Sequence, residues 1–234
     1  MTVTILDSIP FTIDGGEVLS QLQFPVAGLE EEVEPLLQAA RAIARPKAMY
    51  REAFVEARAG RHVVIDGVRL TSRILSVNLE RIDRVFPFVV TCGAELEAWS
   101  ETITDPFLRY WADAIKELAL SAAYRALDAH LAERYGLEHL ATMNPGSLAD
   151  WPIEQQQLLF ALLGDPQQAI GVHLTESYLM VPTKSVSGIH FPPEDDYVNC
   201  ALCQREACPN RRAPFEPELF ERRYGEDRGV RSND

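Results

Sequence analysis

The sequence predicts an α+β fold, in which a β-sheet packs against helices that do not alternate regularly with its strands. Strand-like segments stand both before and after the helical segments. One amphipathic helix is much longer than the other helical segments, and a loop rich in Gly and Pro follows it. Strands and helices grouped in this way are typical of α+β domains rather than of repeated βαβ units.

The N-terminal half combines strand-like segments with one clear helix. Four segments have the apolar patterns of strands: residues 3–11, 50–59, 61–65 and 82–91. Turns are predicted at Asp14–Gly16, Gly60 and Asp66–Gly67, with a short helix over 17–22. Residues 29–44 carry an apolar stripe at helical spacing, and Arg45-Pro46 ends this helix.

The long helix has a clear start and a clear stop. Thr104-Asp105-Pro106 combines a capping residue with Pro at the first helical position, and Tyr135-Gly136 ends the helix after about 30 residues. The predicted apolar stripe comprises Leu108, Trp111, Ile115, Leu118, Ala122 and Ala126, with His130 as a further candidate. The Ala-rich middle, with Ala119, Ala122, Ala123 and Ala126, allows close packing against a sheet. Beyond it, we expect a loop over 140–151, a helix over 152–163 and a strand over 170–181.

Composition and charge exclude several classes of protein. The chain has 234 residues, 47% of them hydrophobic and 24% charged, and a formal net charge of −13. No apolar run approaches the roughly 20 residues that span a bilayer, and the N-terminus lacks the basic segment of a secretory signal. We therefore expect a cytoplasmic protein. Nucleic-acid binding needs clustered Lys and Arg, so the acidic charge disfavours it and suits a basic protein partner.

Three of the four cysteines are clustered near the C-terminus. Cys200, Cys203 and Cys208 are closely spaced, whereas Cys92 stands alone. In a chain without an export signal, such a cluster favours metal or redox chemistry over disulfides. The spacing fits a zinc ion, with His190, Cys92 or a residue of another chain as fourth ligand, or an iron–sulfur cluster. Reduced free thiols are the alternative.

A segment rich in Ser and Gly, residues 175–188, follows the alternating residues 170–174. As a loop, it would expose backbone amides and hydroxyls to a polar ligand. Its candidate ligand-binding residues are Thr175, Glu176, Ser185, Ser187 and Gly188. The alternative is that these hydroxyls satisfy only their own backbone.

The same segment carries a family resemblance. Residues 174–191 read LTESYLMVPTKSVSGIHF, which resembles the LTESFAMxPxxSVSGxxF motif of the reactivation domain of cobalamin-dependent methionine synthase. NPGSLADW, at 144–151, resembles the family's RxxPGY segment. PKAMY at 46–50, TCGAELE at 91–97 and the Cys cluster resemble stand-alone members found beside corrinoid methyltransferases. The resemblance reaches about residue 215 and is strongest from 144 to 212.

The resemblance implies a helmet-like domain, in which a twisted antiparallel sheet packs against the long helix. It also implies a set of ligand-binding positions: Thr142, Pro145, Gly146, Ser147, Glu176, Ser185, Ser187, Gly188 and Tyr197. The family's Arg and Tyr, associated with S-adenosylmethionine binding, are replaced here by Thr142 and Ser147. Thr lacks the charged fork that Arg offers a carboxylate, which weakens the expectation that this ligand binds. Glu117 and Asp128 are the nearest candidates for the family's acidic ligand-binding residue.

By resemblance, we expect the chain to reactivate a corrinoid protein. It would dock on a cobalamin-carrying protein or a cobalamin-dependent methyltransferase and cover the upper corrin face, with S-adenosylmethionine as methyl donor. The alternatives are a non-catalytic corrinoid-protein binding or assembly module, and a metal or iron–sulfur redox protein centred on the cysteines. We expect one domain over 1–215, with subregions 1–93, 94–198 and 199–212, and a peripheral or disordered tail over 216–234.

Overall fold

The computed structural model describes residues 2–21, 30–137, 139–193, 198–203, 205, 207–208 and 211–224. The strands are β1 Val3–Leu6, β2 Lys47–Arg51, β3 Ala53–Ala59, β4 His62–Ile65, β5 Val68–Thr71, β6 Arg84–Thr91, β7 Ala141–Met143, β8 His173–Leu174, β9 Met180–Val181 and β10 Ser185–Phe191. The helices are α1 Gly15–Gln21, α2 Glu30–Ile43, α3 Arg73–Asn78, α4 Ala94–Thr102, α5 Pro106–Tyr135, α6 Gln156–Leu163, α7 Pro166–Ile170 and α8 Pro217–Leu219. Shorter helical turns lie at Ile153–Gln155, Asn199–Leu202 and Phe220–Tyr224.

The strands form an antiparallel sheet with β6 at its centre. Its main path runs β1-β2-β6-β3-β4-β5, so β2 and β3 lie end to end along one edge of β6. Strand β10 pairs with β6 and also with β7. Strands β8 and β9 form a separate small hairpin. The predicted α+β class, with an antiparallel sheet packed by a long helix, is confirmed.

The central strand tolerates a proline because of a break in its neighbours. Pro87 pairs with Ile189 of β10. On the other side, the ladder with β2 ends at Phe88 and the ladder with β3 begins at Val85. Pro87 therefore lies where this side of the sheet is interrupted, and its missing N–H removes no ladder bond there.

Both faces of the sheet are covered by helices. Alternate side chains of β6, including Phe86 and Phe88, belong to a buried cluster with α2 and α5. Val85 belongs to a second cluster with residues of α3 and α6. Because side chains alternate between the two faces of a strand, β6 is buried on both sides.

The long helix occupies the predicted residues, and its caps explain its limits. The Asp105 carboxylate accepts hydrogen bonds from the backbone N–H groups of Phe107 and Leu108, and Gly136 has a left-handed conformation with φ of 64°. The predicted stripe is correct at Trp111 and Ile115 but wrong in the second half. The fully buried residues there are Ala119, Ala123, Leu127 and Leu131. Of the predicted Ala-rich middle, Ala119 and Ala123 are buried, whereas Ala122 and Ala126 are half-buried. Alanines occur on both sides of this helix, so their positions alone do not mark the core.

Several local predictions are wrong. Residues 50–59 are not one strand, because β2 and β3 are separated at Glu52. The predicted loop over 140–151 contains β7, and the predicted strand over 170–181 contains a turn between the two-residue strands β8 and β9. The Ser/Gly segment at 185–188 is part of β10 and not a loop. Strand β5 and helices α3 and α7 have no counterpart in the sequence-based prediction.

The last described residues pack on the N-terminal half. Tyr224 is 1% exposed. Its hydroxyl donates a hydrogen bond to Asn78 Oδ1 at 2.6 Å, and its carbonyl accepts one from Arg73 Nε at 2.6 Å. Tyr224 thus holds the end of the described chain against α3. Within the described residues, no helix has the length and apolar character needed to cross a membrane.

Candidate functional site

The two segments singled out in the sequence converge beside β10. They enclose a cavity of about 360 Å³, which we call the motif cavity. Its lining combines apolar and hydroxyl-bearing side chains: Asn144, Pro145, Ile153, Gln156, Tyr178, Leu179, Met180, Thr183, Ser185, Val186 and Ser187. Residues of the 144–151 segment and residues after 177 in the 174–191 segment are therefore neighbours in space.

A chain of hydrogen bonds connects the two segments. Asn144 Nδ2 donates to the carbonyl oxygen of Ser187 at 2.8 Å. The Ser187 hydroxyl donates to Gln156 Oε1 at 3.0 Å, and Gln156 Nε2 donates to the carbonyl of Tyr178 at 2.8 Å. Ser187 and Gln156 are buried, so these bonds fix the relative positions of β10, α6 and the turn at Tyr178.

Gly188 is required by close packing and not by ligand access. A Cβ atom at this position would lie 2.6 Å from Asn144 Nδ2, 2.6 Å from the Met143 carbonyl oxygen and 3.0 Å from the Phe88 ring. Its backbone pairs with Phe88 in the sheet. The expectation that this glycine exposes backbone amides to a ligand is therefore wrong, because β10 pairs with β6 throughout 185–190.

The other predicted residues separate into distinct environments. Ser185 lines the motif cavity, and its hydroxyl donates to Thr91 Oγ1 at 2.9 Å. Glu176 is exposed in the turn before β9 and does not line the cavity, while the Thr175 hydroxyl accepts from the backbone N–H of Leu179. Tyr197 lies outside the described residues.

The Pro145-Gly146 turn divides the motif cavity from a larger one. Gly146 has a φ of 79°, and a Cβ there would lie 3.0 Å from the Ile153 side chain. The Ser147 hydroxyl donates to the carbonyl of Asn144 at 2.7 Å. Gly146 and Ser147 line the larger cavity, which faces the cysteines.

Thr142 is buried in a network of side chains. Its hydroxyl lies 2.8 Å from His190 Nδ1 and accepts a hydrogen bond from the Tyr124 hydroxyl at 3.2 Å. His190 is 1% exposed and stacks on Phe88, with ring centroids 4.1 Å apart. The Thr142 hydroxyl is thus used inside the protein, between β10 and α5.

The electrostatics of this network are set mainly by burial. Burial lowers the pKa of His190 to about 3 and raises the pKa of Tyr124 to about 12. His190 Nε2 lies 3.4 Å from Asp128 Oδ1, and neither atom has a hydrogen-bond partner among the described residues. Burial raises the pKa of Asp128 to about 6, although the Arg212 charge acts in the opposite direction.

A third cavity, of about 580 Å³, adjoins the motif cavity. We call it the arginine cavity. It shares Asn144 and Val186 with the motif cavity, and its other lining residues are Glu117, Leu120, Ser121, Tyr124, Arg125, Arg211 and Arg212. Sequence reasoning missed Tyr124, Arg125 and Arg212. The available signal was the spacing of Glu117, Ser121, Tyr124 and Arg125, which places them on one face of α5.

Lys184 is held by two carboxylates of helix α5. Its Nζ lies 2.9 Å from Asp113 Oδ2 and 3.2 Å from Glu117 Oε2 on α5. A second pair lies nearby, where Lys116 Nζ is 3.1 Å from Glu97 Oε2 and both side chains are largely buried. These contacts connect the segment before β10 to α5, and α5 to α4.

The three clustered cysteines line one cavity of about 840 Å³, together with Arg61, Asp150 and Arg212 among others. All three are half-buried free thiols. Cys200 Sγ accepts a hydrogen bond from the backbone N–H of Arg212 at 3.4 Å. In the described ranges, no group of three or more His, Cys, Asp or Glu side chains is arranged to hold a metal ion.

The structure does not support the two suggested fourth ligands of a metal. Cys92 is fully buried beside α4, and burial raises its pKa to about 12. His190 is engaged with Thr142, and neither residue lines the cysteine cavity. The described donors therefore do not fit a closed four-ligand site within this chain, and the binding of a metal by Cys200, Cys203 and Cys208 stays a prediction.

Residues 144–212 match one family model. It is the vitamin B12-dependent methionine synthase activation domain. The match contains both segments that form the motif cavity and also the cysteine cluster. It confirms the resemblance to this activation domain that the motifs indicate.

A solved structure shows that the likeness of fold extends beyond the matched segment. The MetH reactivation domain, solved with AdoHcy bound, superposes with a TM-score of 0.60 at 16% sequence identity. The superposition covers 85% of this chain and 81% of that one. At this identity, the comparison establishes a shared fold. No curated protein sequence matches the chain.

Proposed function

We propose that this chain reactivates a corrinoid protein and binds S-adenosylmethionine as the methyl donor for that reaction. It docks on a cobalamin-carrying partner, such as a cobalamin-dependent methyltransferase, and covers the upper face of the corrin. The observation that carries the proposal is the convergence of both family motifs at Asn144. The AdoHcy bound to the MetH reactivation domain supports the choice of ligand, because AdoHcy is S-adenosylmethionine without its transferable methyl group.

The ligand site comprises the motif cavity and the adjoining arginine cavity. Their volumes of about 360 and 580 Å³ fall in the range of ordinary small-molecule sites. The motif cavity offers apolar contacts for the adenosine, from Ile153 and Met180 among others, while the arginine cavity offers charged groups for the amino-acid end. Bound S-adenosylmethionine supplies an electrophilic methyl group, and a separate reductase supplies the electron that cob(II)alamin needs.

An exposed apolar side chain next to the site suits contact with the partner. Leu179 lines the motif cavity and is 57% exposed. It lies in the turn that Gln156 holds through the carbonyl of Tyr178. An exposed apolar side chain held in a fixed turn can be buried by a partner at little ordering cost.

Calorimetric titration of the protein with S-adenosylmethionine tests the methyl-donor function. We expect micromolar binding by the wild type. Asn144→Ala removes the link to Ser187 between the two motifs, so its affinity should fall by roughly tenfold. Gln168→Ala, an exposed change on α7, is the matched control and should bind like the wild type. Absence of binding by the wild type would refute S-adenosylmethionine as the methyl donor.

A second candidate function is a corrinoid-protein binding or assembly module without methyl transfer. Thr142 and Ser147 favour it, because both hydroxyls are used in bonds within the protein. The same titration separates the two functions when it is combined with a binding assay on a cobalamin-loaded corrinoid protein. Affinity for that protein without affinity for S-adenosylmethionine would support the second function.

A redox function centred on the cysteines is the third candidate, and the observation in its favour is that Cys200, Cys203 and Cys208 line a single cavity. Metal analysis and an absorption spectrum of protein purified without oxygen test it. Bound zinc or iron–sulfur absorbance would support a metal site. A metal-free protein with neither signal would show that the cluster consists of free thiols.

A further inference from the structure

The arginine cavity has more cationic than anionic groups. Arg125, Arg211 and Arg212 line it, and Glu117 is the only acidic residue among the described ones that do. The Glu117 carboxylate is already engaged, because Lys184 Nζ lies 3.2 Å from its Oε2. The cavity therefore has a local excess of positive charge in a chain whose formal net charge is −13.

The three arginines differ in what they contact. Arg211 directs its guanidinium at backbone carbonyls, including those of Cys200 and Ala213 at 3.1 Å each and Cys203 at 3.3 Å. Arg125 and Arg212 are exposed, and their guanidinium groups make no hydrogen bond or ion pair with any described residue. Arg211 thus has a structural role, whereas the other two are available to a ligand.

The backbone of Arg212 is held in place although its guanidinium makes no hydrogen bond with the described residues. Its N–H donates to Cys200 Sγ at 3.4 Å, and the preceding Arg211 is bonded to several carbonyls of the cysteine-rich segment. Its charge acts on Tyr124 and Asp128 and lowers the pKa of each against the larger effect of burial. The guanidinium is therefore close to the face of α5 that forms the cavity.

We propose that Arg212 binds the carboxylate of the ligand's amino-acid end and so supplies the cation that position 142 lacks. Arg125 is the second cation of the same cavity. The inference rests on the proposed binding of S-adenosylmethionine, whose only anionic group is a carboxylate. A guanidinium matches a carboxylate through two parallel hydrogen bonds, and in this chain that group comes from the end of the cysteine-rich segment.

Two probes that differ in the amino-acid end test this role. AdoHcy carries the carboxylate, whereas 5′-methylthioadenosine has the same adenosine thioether without it. We expect Arg212→Gln to raise the Kd for AdoHcy by roughly 10- to 100-fold and to leave the Kd for 5′-methylthioadenosine unchanged. Arg212→Lys keeps the positive charge but lacks the forked guanidinium. Its Kd for AdoHcy should therefore lie between those of the wild type and Arg212→Gln. Arg69→Gln, an exposed change on β5, controls for the loss of one positive charge.

The possible outcomes separate this inference from the proposed function. Wild-type affinity for AdoHcy in Arg212→Gln would overturn the role of Arg212 and leave the proposed function intact. An equal loss of affinity for both probes would also overturn it, because it would indicate a structural effect on the whole site. If the wild type binds neither probe, the ligand itself is wrong and the proposed methyl-donor site fails with it.

Discussion

Thr142 shows how a single position changes the chemistry around it. The family resemblance implies the loss of an arginine fork there, and the structure shows what the threonine contacts. Its hydroxyl joins Tyr124 of α5 to His190 of β10. No local pattern could predict this network, because it joins residues 18 and 48 positions apart along the chain.

His190 and Asp128 should affect the pH dependence of stability in opposite directions. The pKa of His190 is about 3 in the folded protein, below its ordinary value of 6.5. The unfolded chain therefore binds the proton first, and stability falls as the pH falls from about 6.5 towards 3. The pKa of Asp128 is about 6, above its ordinary value of 3.8, so its contribution rises as the pH falls from about 6 towards 3.8.

Variants of these two residues should separate the contributions. Asp128→Asn removes the opposing effect and should make the loss of stability on acidification steeper than in the wild type. His190→Gln should make it shallower. The limiting slope for one proton is about 1.4 kcal/mol per pH unit, and half-exposed Asp128 should contribute less than that. Urea unfolding between pH 7 and pH 4.5 measures the slopes, and identical slopes in all three proteins would contradict the assignment.

Helix α5 was predicted best among the elements, and the segments near the site were predicted worst. Capping and glycine signals are local, so Asp105 and Gly136 mark the ends of the helix in the sequence itself. The Ser/Gly segment was predicted as a loop because its composition disfavours strands. Its strand conformation depends on pairing with β6, and the small residue at Gly188 depends on the close approach of Asn144. A local sequence pattern cannot predict such contacts between segments that are distant in the chain.

The N-cap of α5 can be tested directly. Asp105→Ala removes the acceptor of two backbone N–H groups and should lower the free energy of unfolding by about 1 kcal/mol. Asp105→Ser retains a capping oxygen and should stay close to the wild type. Chemical denaturation of the three proteins measures the difference. Equal stability of the alanine and serine variants would show that the cap contributes nothing.

In the molecule as a whole, the C-terminal residues form part of the lining of the candidate site. The cysteine-rich segment lies between β10 and the last described turn, and it carries Arg212 into the arginine cavity. The family motifs identify the segments of the site, but they do not indicate that the chain end returns to α3. That return depends on Tyr224, whose hydroxyl bonds to a residue 146 positions earlier.

Removing this anchor should loosen the cysteine-rich segment without opening the core. Tyr224→Ala deletes a fully buried side chain, which typically costs about 3–5 kcal/mol for a large aromatic residue, and it frees the segment that ends at this turn. We therefore expect Cys200, Cys203 and Cys208 to react faster with a thiol reagent in Tyr224→Ala than in the wild type. Tyr224→Phe, which loses only the bond to Asn78, should show a smaller increase.

Cys92 is fully buried in the core and serves as an internal reference, because its reactivity should stay low in all three proteins. Unchanged labelling of the three clustered cysteines would show that the segment is held by its own contacts, and faster labelling of Cys92 would show that the substitution had unfolded the domain.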